Sequence, residues 1–201
     1  MIAIIDYDAG NIKSVVKAME YLSIDYVFTR SKEEILKADK LILPGVGSFG
    51  SAMERLNDMG LTEIIRSSVS EGKPFLGICL GLQLLFEDSE ESPGVKGLSV
   101  LKGHIRKIPV GEYKKIPHMG WNSLSLKGDG RLFKGIKGDP FVYFVHSFYL
   151  DADDKDIVKA TTQYNVNIDA SVEQGNVFAC QFHPEKSSDT GLKMLRNFAE
   201  L

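Results

Sequence analysis

One cysteine lies in a pattern typical of a nucleophile. Cys79 is flanked two residues away on either side by Gly77 and Gly81, within the stretch Pro-Phe-Leu-Gly-Ile-Cys-Leu-Gly-Leu-Gln at 74–83. The apolar run before it predicts a strand buried on both faces, and the leucine-rich run after it predicts a buried helix. A strand-to-helix elbow of this kind raises a nucleophile above a sheet, and the two glycines suit a turn with no room for a Cβ atom. The helix N-terminus then favours a thiolate, and its free N–H groups can hold an oxyanion.

A histidine and a glutamate complete the chemistry near the other end of the chain. Alternation in an extended segment places His183 and Glu185 on one side, and Pro184 should end the strand there. The histidine takes the thiol proton and returns one to a leaving amine, while the glutamate orients the histidine. Alone, Cys79 is explained as a core residue and His-Pro-Glu as incidental. Together they predict a Cys79–His183–Glu185 triad.

The stretch Pro-Gly-Val-Gly at 44–47 follows a predicted strand and has two interpretations. It is either a simple turn before a helix, or a loop whose N–H groups at Val46 and Gly47 complete an oxyanion hole with that of Leu80. Given the elbow, the second is favoured.

The remaining cysteine and histidines predict no further chemistry. Alternation groups Cys180 with Phe178 and Phe182, which indicates a core thiol. The other histidines show no metal-ligand spacing, so we expect neither a metal nor a cofactor; by default they are exposed or satisfied in the core. They are His104, His118 and His146.

The elements that must position these groups change in character halfway along the chain. Strands are predicted at 1–6, 25–29, 41–43 and from 74, alternating with helices at 12–23, 31–36, 48–57 and 61–70, which indicates a mostly parallel α/β sheet with flanking helices. The second half predicts strands at 98–108, 120–126, 141–150, 157–164, 170–173 and 177–182, then a helix from Ser187 or Ser188 to 201. Strand after strand indicates antiparallel additions to the sheet and a small second sheet.

Composition agrees with a single domain over residues 1–201. Hydrophobic residues make up 43% and charged residues 25% of the 201, as in ordinary globular proteins. The net charge of −3 gives no support for nucleic acid or a charged membrane as a partner. No apolar run approaches a membrane span, Met1 opens directly into a predicted strand, and two cysteines form no disulfide framework, so we expect a cytoplasmic protein.

Several stretches beyond the triad carry a resemblance to a known family. The elbow and His-Pro-Glu resemble those of the class I, or triad, glutamine amidotransferases. Within that class, the chain is similar to the glutaminase subunits of imidazole glycerol phosphate synthases, which act in histidine biosynthesis. The stretches are Pro-Gly-Val-Gly-Ser-Phe at 44–49, Pro-His-Met-Gly-Trp-Asn at 117–122, Tyr-Phe-Val-His-Ser at 143–147 and Phe-His-Pro-Glu-Lys-Ser at 182–187. The stretch at 117–122 is the discriminating one.

The resemblance implies a substrate, a partner and roles for individual residues. Glutamine is hydrolysed through a Cys79 thioester, and the ammonia passes to a separate (βα)8 cyclase subunit, which makes imidazole glycerol phosphate and an aminoimidazole carboxamide ribotide. The implied glutamine-binding residues are Gly45, Gln83, Glu91, His146 and Ser147. The implied interface residues are Asn11, His118, Trp121, Tyr143 and Lys186. A glutaminase fold that uses all 201 residues leaves none for an ammonia acceptor, which also favours two chains.

Other interpretations stay open at this point. The chain could serve a different synthase, such as those for pyridoxal phosphate or anthranilate, although the stretch at 117–122 argues against that. It could also be a cysteine-dependent γ-glutamyl hydrolase or a thiol-containing binding protein. Trp121 is explained equally well by core packing, and Lys186 by simple solvation.

Overall fold

The computed structural model describes residues 1–8, 12–111, 115–128 and 130–201. The helices in these ranges are α1 (Lys13–Tyr21), α2 (Lys32–Lys37), α3 (Phe49–Asp58), α4 (Thr62–Ser70), α5 (Leu80–Leu84) and α6 (Ser188–Ala199). The strands are β1 (Ile2–Ile5), β2 (Tyr26–Thr29), β3 (Lys40–Gly45), β4 (Phe75–Cys79), β5 (Asp88–Ser89), β6 (Gly103–Lys107), β7 (His118–Ser123), β8 (Ser125–Leu126), β9 (Phe141–His146), β10 (Phe148–Ala152), β11 (Val158–Tyr164), β12 (Val166–Gln174) and β13 (Val177–Cys180).

One large sheet organises the molecule, in the order β2-β1-β3-β4-β13-β12-β11-β8. The first five strands in that order run parallel, and the last three are added antiparallel. The predicted mostly parallel sheet with antiparallel additions is confirmed.

Both faces of this sheet are covered, because its parallel strands are apolar on both sides. Along β1, Ala3 and Ile5 join one core cluster while Ile2 and Ile4 join the other. Helices α2, α3, α4 and α5 contribute to the first cluster, and α1 and α6 to the second. Strands buried on both faces carry apolar runs without polar alternation, as this first half of the chain does.

Two small sheets lie beside the large one, where one small second sheet was predicted, and the strand boundaries in this region also differ from the prediction. The strand predicted at 141–150 breaks at Ser147: β9 pairs with β7, whereas β10 pairs with β6. Burial alternates in the same phase on both sides of the break, at Val142 and Phe144 and again at Leu150. A strand that changes partners without changing phase leaves no trace in its hydrophobic pattern.

Three further predicted strands are also altered. The strand predicted at 98–108 is reduced to β6, that at 120–126 is divided between β7 and β8 in different sheets, and that at 177–182 ends with β13. Within the described residues, no helix is long and apolar enough to span a membrane. The carboxyl ends of the adjacent strands β3, β4 and β13 meet at one edge of the sheet, where α/β proteins place their sites.

Candidate active site

The elbow has the predicted form. Cys79 is the last residue of β4 and α5 begins at Leu80, with the cysteine backbone at φ 55° and ψ −107°. A Cβ atom added to Gly77 would lie 2.6 Å from the carbonyl oxygen of Gly81, and one added to Gly81 would lie 1.8 Å from that of Leu43. Neither glycine therefore tolerates a side chain, Gly77 because of the turn and Gly81 because β3 packs against it.

His183 and Glu185 meet, but not in the way the alternation pattern predicted. The Nδ1 atom of His183 lies 2.8 Å from Oε1 of Glu185. The segment is not extended here: Pro184–Lys186 form a 3-10 turn that folds the glutamate back under the imidazole. Alternation does not apply here because β13 ends at Cys180, before His183, but the two side chains are close together as predicted.

The charges around His183 favour its protonated form. Burial lowers the pKa of His183, but hydrogen bonding toward Cys79 and Glu185 outweighs burial and raises the pKa to about 10. Among the described residues, its buried Nε2 atom has no partner at full hydrogen-bond geometry. The thiol is thus close enough to favour the imidazolium without being fixed to it, as is common in catalytic sites before substrate binds.

A cavity of about 340 Å³ opens onto the thiol. It contains seven of the residues predicted to bind glutamine or the oxyanion, and Pro117 and Phe148 also line it. The seven are Val46, Gly47, Leu80, Gln83, Glu91, His146 and Ser147. Gly45 instead pairs in register with Cys79 and borders a separate small space beside His183 and Glu185.

Two of the predicted glutamine-binding side chains are held in place by the protein. Gln83 donates from Nε2 to the carbonyl oxygen of Phe148 and to Oε1 of Gln181, both at 3.1 Å. The Oε2 atom of Glu91 accepts from the backbone N–H of Phe49 at 2.7 Å, at the start of α3. Both side chains are therefore preorganised where the cavity receives a ligand.

His146 lines the cavity with both ring nitrogens already engaged. Its Nδ1 lies 2.8 Å from the carbonyl oxygen of Phe148, and its Nε2 lies 2.9 Å from Nδ1 of His118. Burial lowers the pKa of His146 to about 3, so the ring is neutral near pH 7. A polar contact with a ligand at this position therefore depends on backbone groups.

Sequence reasoning missed Gln181, which contacts the predicted nucleophile. Its side chain is fully buried, and its Nε2 donates to the Cys79 sulfur at 3.8 Å. The available signal was a polar residue in the apolar run just before His183. Cys180 is confirmed as a core thiol, and burial raises its pKa well above the usual value.

The predicted interface residues fall into different environments. Trp121 is 54% exposed, which excludes core packing as its role within this chain, and its ring meets that of Tyr143 edge to face. The Lys186 Nζ atom lies 6.0 Å from the centre of the Tyr143 ring. His118 turns inward and is only 2% exposed. Asn11 lies outside the described residues.

His104 lies apart from this site and pairs with an acid. Its Nδ1 is 2.7 Å from Oδ1 of Asp88. Ligand atoms of His104, Glu87 and Asp153 lie within 4.8 Å of one another. Glu87 is already paired with Lys102 at 2.9 Å, so a protein cation occupies this group.

Comparisons with known proteins give one consistent result. Residues 3–201 match the family model described as glutamine amidotransferase class-I. The imidazole glycerol phosphate synthase subunit HisH of Caldanaerobacter subterraneus subsp. tengcongensis is 50% identical over 201 residues, covering 100% of this chain and 98% of that protein. The protein of the same name from Methanocaldococcus jannaschii is also 50% identical, with both chains covered completely.

Solved structures share the architecture at lower identity. A crystal structure titled as a glutamine amidotransferase superposes with a TM-score of 0.77 at 21% identity, covering 100% of both chains. A chain in the structure of PurLQS from Thermotoga maritima gives a TM-score of 0.72 at 22% identity, covering 99% of this chain and 97% of that one. These similarities show the common fold.

Proposed function

The chain belongs to the class I glutamine amidotransferases, and from this membership we propose that it is the glutaminase subunit of an imidazole glycerol phosphate synthase. It hydrolyses glutamine to glutamate and ammonia, and a separate cyclase subunit uses the ammonia. The observation that carries the proposal is the cavity that joins the elbow thiol to four of the five predicted glutamine-binding residues, together with the His183–Glu185 pair, whose imidazole interacts with that thiol. Full-length relatives at 50% identity carry the name of this subunit.

Glutamine enters the cavity with its side-chain amide toward Cys79. The thiolate attacks the amide carbon and forms a carbon–sulfur bond, while the carbonyl electrons move onto the oxygen. Leu80, at the start of α5, lines the cavity together with Val46 and Gly47, and we infer that the backbone N–H groups of these three residues stabilise the oxyanion. Both hydrogens of the Gln83 NH2 group are donated within the protein, so its Oε1 is the atom that accepts a hydrogen bond from the substrate.

His183 supplies the proton for the leaving group. Collapse of the tetrahedral intermediate breaks the carbon–nitrogen bond, and the imidazolium protonates the departing amine to give ammonia and a thioester. A water molecule then attacks the thioester, with neutral His183 accepting its proton, and glutamate leaves as the thiolate is restored. The buried Glu185 carboxylate holds His183 in orientation throughout and stabilises its charged form.

The released ammonia requires an acceptor close to the site. Free ammonia is protonated near neutral pH and is then no longer a nucleophile, so transfer without contact with bulk water needs a docked cyclase. The exposed side chains of Met119 and Trp121, 62% and 54% exposed, support β7 as part of the docking surface. We also propose that residues 1–201 act as one glutaminase domain, and that the protein works in the cytoplasm, where its two free thiols stay reduced.

The test is reconstitution with a cyclase subunit and its nucleotide substrate, a phosphorylated ribulosyl formimino aminoimidazole carboxamide ribotide. We expect glutamine-dependent formation of imidazole glycerol phosphate, and glutamine hydrolysis that rises when the nucleotide is added. Hydrolysis of γ-glutamyl peptides in preference to glutamine, with no product from the mixture, would instead indicate a γ-glutamyl hydrolase. Ammonia transfer to another class of acceptor would indicate a different synthase.

A further inference from the structure

A buried amide lies against the proposed nucleophile. The register between β13 and β4 pairs Cys180 with Ile78, so the next residue, Gln181, lies beside Cys79. Gln181 is fully buried, and its side-chain nitrogen is 3.8 Å from the Cys79 sulfur. Sulfur is large, and a contact at this distance is a hydrogen bond if the amide presents its NH2 group to it.

The orientation of that amide follows from its neighbours. The Phe148 carbonyl oxygen can only accept, so the end of Gln83 that faces it must be NH2. The second hydrogen of the same NH2 group points to Gln181, which must therefore present its oxygen to Gln83. The NH2 group of Gln181 is left facing the Cys79 sulfur. The reverse orientation of Gln181 would bring two NH2 groups together and leave the sulfur facing an oxygen.

A pair of histidines extends the chain of hydrogen bonds. The Nδ1 atom of His146 faces the Phe148 carbonyl and must carry the proton, so the neutral ring accepts at Nε2. His118 therefore donates from Nδ1 to His146. His118 in turn stacks between Phe144 and Tyr164, with ring centroids 4.6 and 3.9 Å away. The Phe148 carbonyl is thus held on one side by His146 and on the other by Gln83.

From these contacts we propose that Gln181 is a positioning residue for Cys79, and that Gln83, the Phe148 carbonyl and the pair His118–His146 fix its orientation. The proposal rests on the proposed function, in which Cys79 reacts as a thiolate. An N–H donor at the sulfur favours the thiolate and directs it, while the imidazolium of His183 supplies the charge. Gln83 then has two roles, since one end orients Gln181 and the other faces glutamine.

This series of hydrogen bonds also links the cavity to the surface. Strand β7 turns His118 inward, and the residue that follows it, Met119, outward. A partner that binds the outer side of β7 contacts the strand that carries His118 on its inner side. His118 is the histidine of this hydrogen-bond series that lies farthest from Cys79. Asn122 lies 3.3 Å from Nε2 of His118 and ties that ring to the same strand.

The test measures the reactivity of the Cys79 thiol and does not require catalytic turnover. The rate at which iodoacetamide alkylates Cys79 is followed against pH in the full chain, with peptide mapping to separate Cys79 from Cys180. In Gln181→Met, which keeps the volume of the side chain but cannot donate, we expect alkylation below the thiol pKa to slow by about three- to tenfold and the pH profile to move to higher pH. Gln181→Leu also removes the donor and introduces no charge, so it should shift the profile in the same direction. Among the described residues, the other titratable groups that interact with this sulfur are His183, Tyr7 and Cys180, with Glu185 against His183, and all are unchanged in these variants.

A control and a second variant separate positioning from damage. Ser171 is buried on the neighbouring strand β12 and donates to the Ala179 carbonyl oxygen. It takes no part in the hydrogen bonds that orient Gln181, so Ser171→Ala should leave the alkylation profile unchanged. His118→Phe keeps the ring stacking and removes the donor, and should give a smaller shift in the same direction as Gln181→Met.

The outcomes are distinct from those that bear on the overall function. An unaltered alkylation profile in a folded Gln181→Met or Gln181→Leu variant would overturn the role of Gln181, and an unaltered profile in His118→Phe would overturn that of the histidine pair. In the reconstituted enzyme, kcat of Gln181→Met should fall with KM for glutamine nearly constant. A chain that alkylates as expected but produces no ammonia would contradict the proposed function alone.

Discussion

The Nδ1 atom of His183 and the Oε1 atom of Glu185 lie 2.8 Å apart across one 3-10 turn, and both side chains are at most 3% exposed. The carboxylate helps to raise the pKa of the imidazole, so replacing it by a neutral amide must lower that pKa. We expect Glu185→Gln to move the alkaline limb of the glutaminase pH profile to lower pH, and to lose less activity than His183→Ala.

The measurement is kcat/KM for glutamine against pH in the complex with the cyclase. The matched control is Glu63→Gln, which removes a carboxylate whose side chain is 82% exposed, on α4. An alkaline limb that stays in place in Glu185→Gln would contradict the electrostatic role of the glutamate, and a greater loss in Glu185→Gln than in His183→Ala would contradict both assignments.

Removal of the thiol should separate the two half-reactions. We expect Cys79→Ala to abolish synthesis from glutamine and to leave synthesis from added ammonium salts intact, because the cyclase site is on the other chain. Product formation is measured with each nitrogen source. Cys180→Ala is the control: it removes the core thiol, and a folded variant should keep glutamine hydrolysis. Hydrolysis retained by Cys79→Ala would reject this residue as the nucleophile.

Gly81, two residues after the predicted nucleophile, should tolerate no side chain. A Cβ atom at Gly81 would lie 1.8 Å from a backbone oxygen of Leu43, which cannot move without disturbing β3. We expect Gly81→Ala to lower the free energy of unfolding by about 3 kcal/mol, at the upper end of overpacking effects. Urea unfolding gives the value. Gly128, which has open space around it, supplies the control variant Gly128→Ala; equal stability of the two variants would argue against the crowding.

The single tryptophan reports on docking. Trp121 is 54% exposed in this chain, and burial of an exposed indole shifts its fluorescence to shorter wavelength. We expect that shift when the cyclase is added, recorded with a cyclase variant free of tryptophan. A complex that forms, as judged by sedimentation, with an unchanged spectrum would place the docking surface elsewhere.

Lys186 should affect stimulation more than basal activity. We propose that Lys186 lies at the mouth that faces the cyclase, and it follows Glu185 in the same 3-10 turn. A partner acid that attracts this lysine pulls on the turn that carries the proposed catalytic pair. We expect Lys186→Ala to lose nucleotide-stimulated glutaminase activity more than basal activity, with a modest loss of complex stability.

Glutaminase rates are compared with and without the cyclase ligand. Lys193→Ala removes an exposed lysine on α6 and is the control. Stimulation at the wild-type ratio in Lys186→Ala would mean that this residue is only a surface lysine.

The parts of the molecule that were predictable from sequence are those that depend on local chain chemistry. The elbow at Cys79 was readable because two glycines and an apolar run occupy fixed positions around one residue. The break at Ser147 was not readable, since the alternation of buried residues continues through it. The contact between Gln181 and Cys79 was hidden as well, because it depends on the register between two strands that lie 98 or more residues apart in sequence.

The backbone of Cys79 is strained, with φ 55° and ψ −107°. Residues other than glycine adopt such angles at a cost of about 1–3 kcal/mol, and that cost falls on the residue proposed as the nucleophile. Glycine at this position would relieve the backbone strain, but it has no thiol to react. Thermal stability and catalysis therefore favour different residues at position 79. A Cys79→Gly protein should therefore melt at a higher temperature than Cys79→Ala, although both are inert toward glutamine.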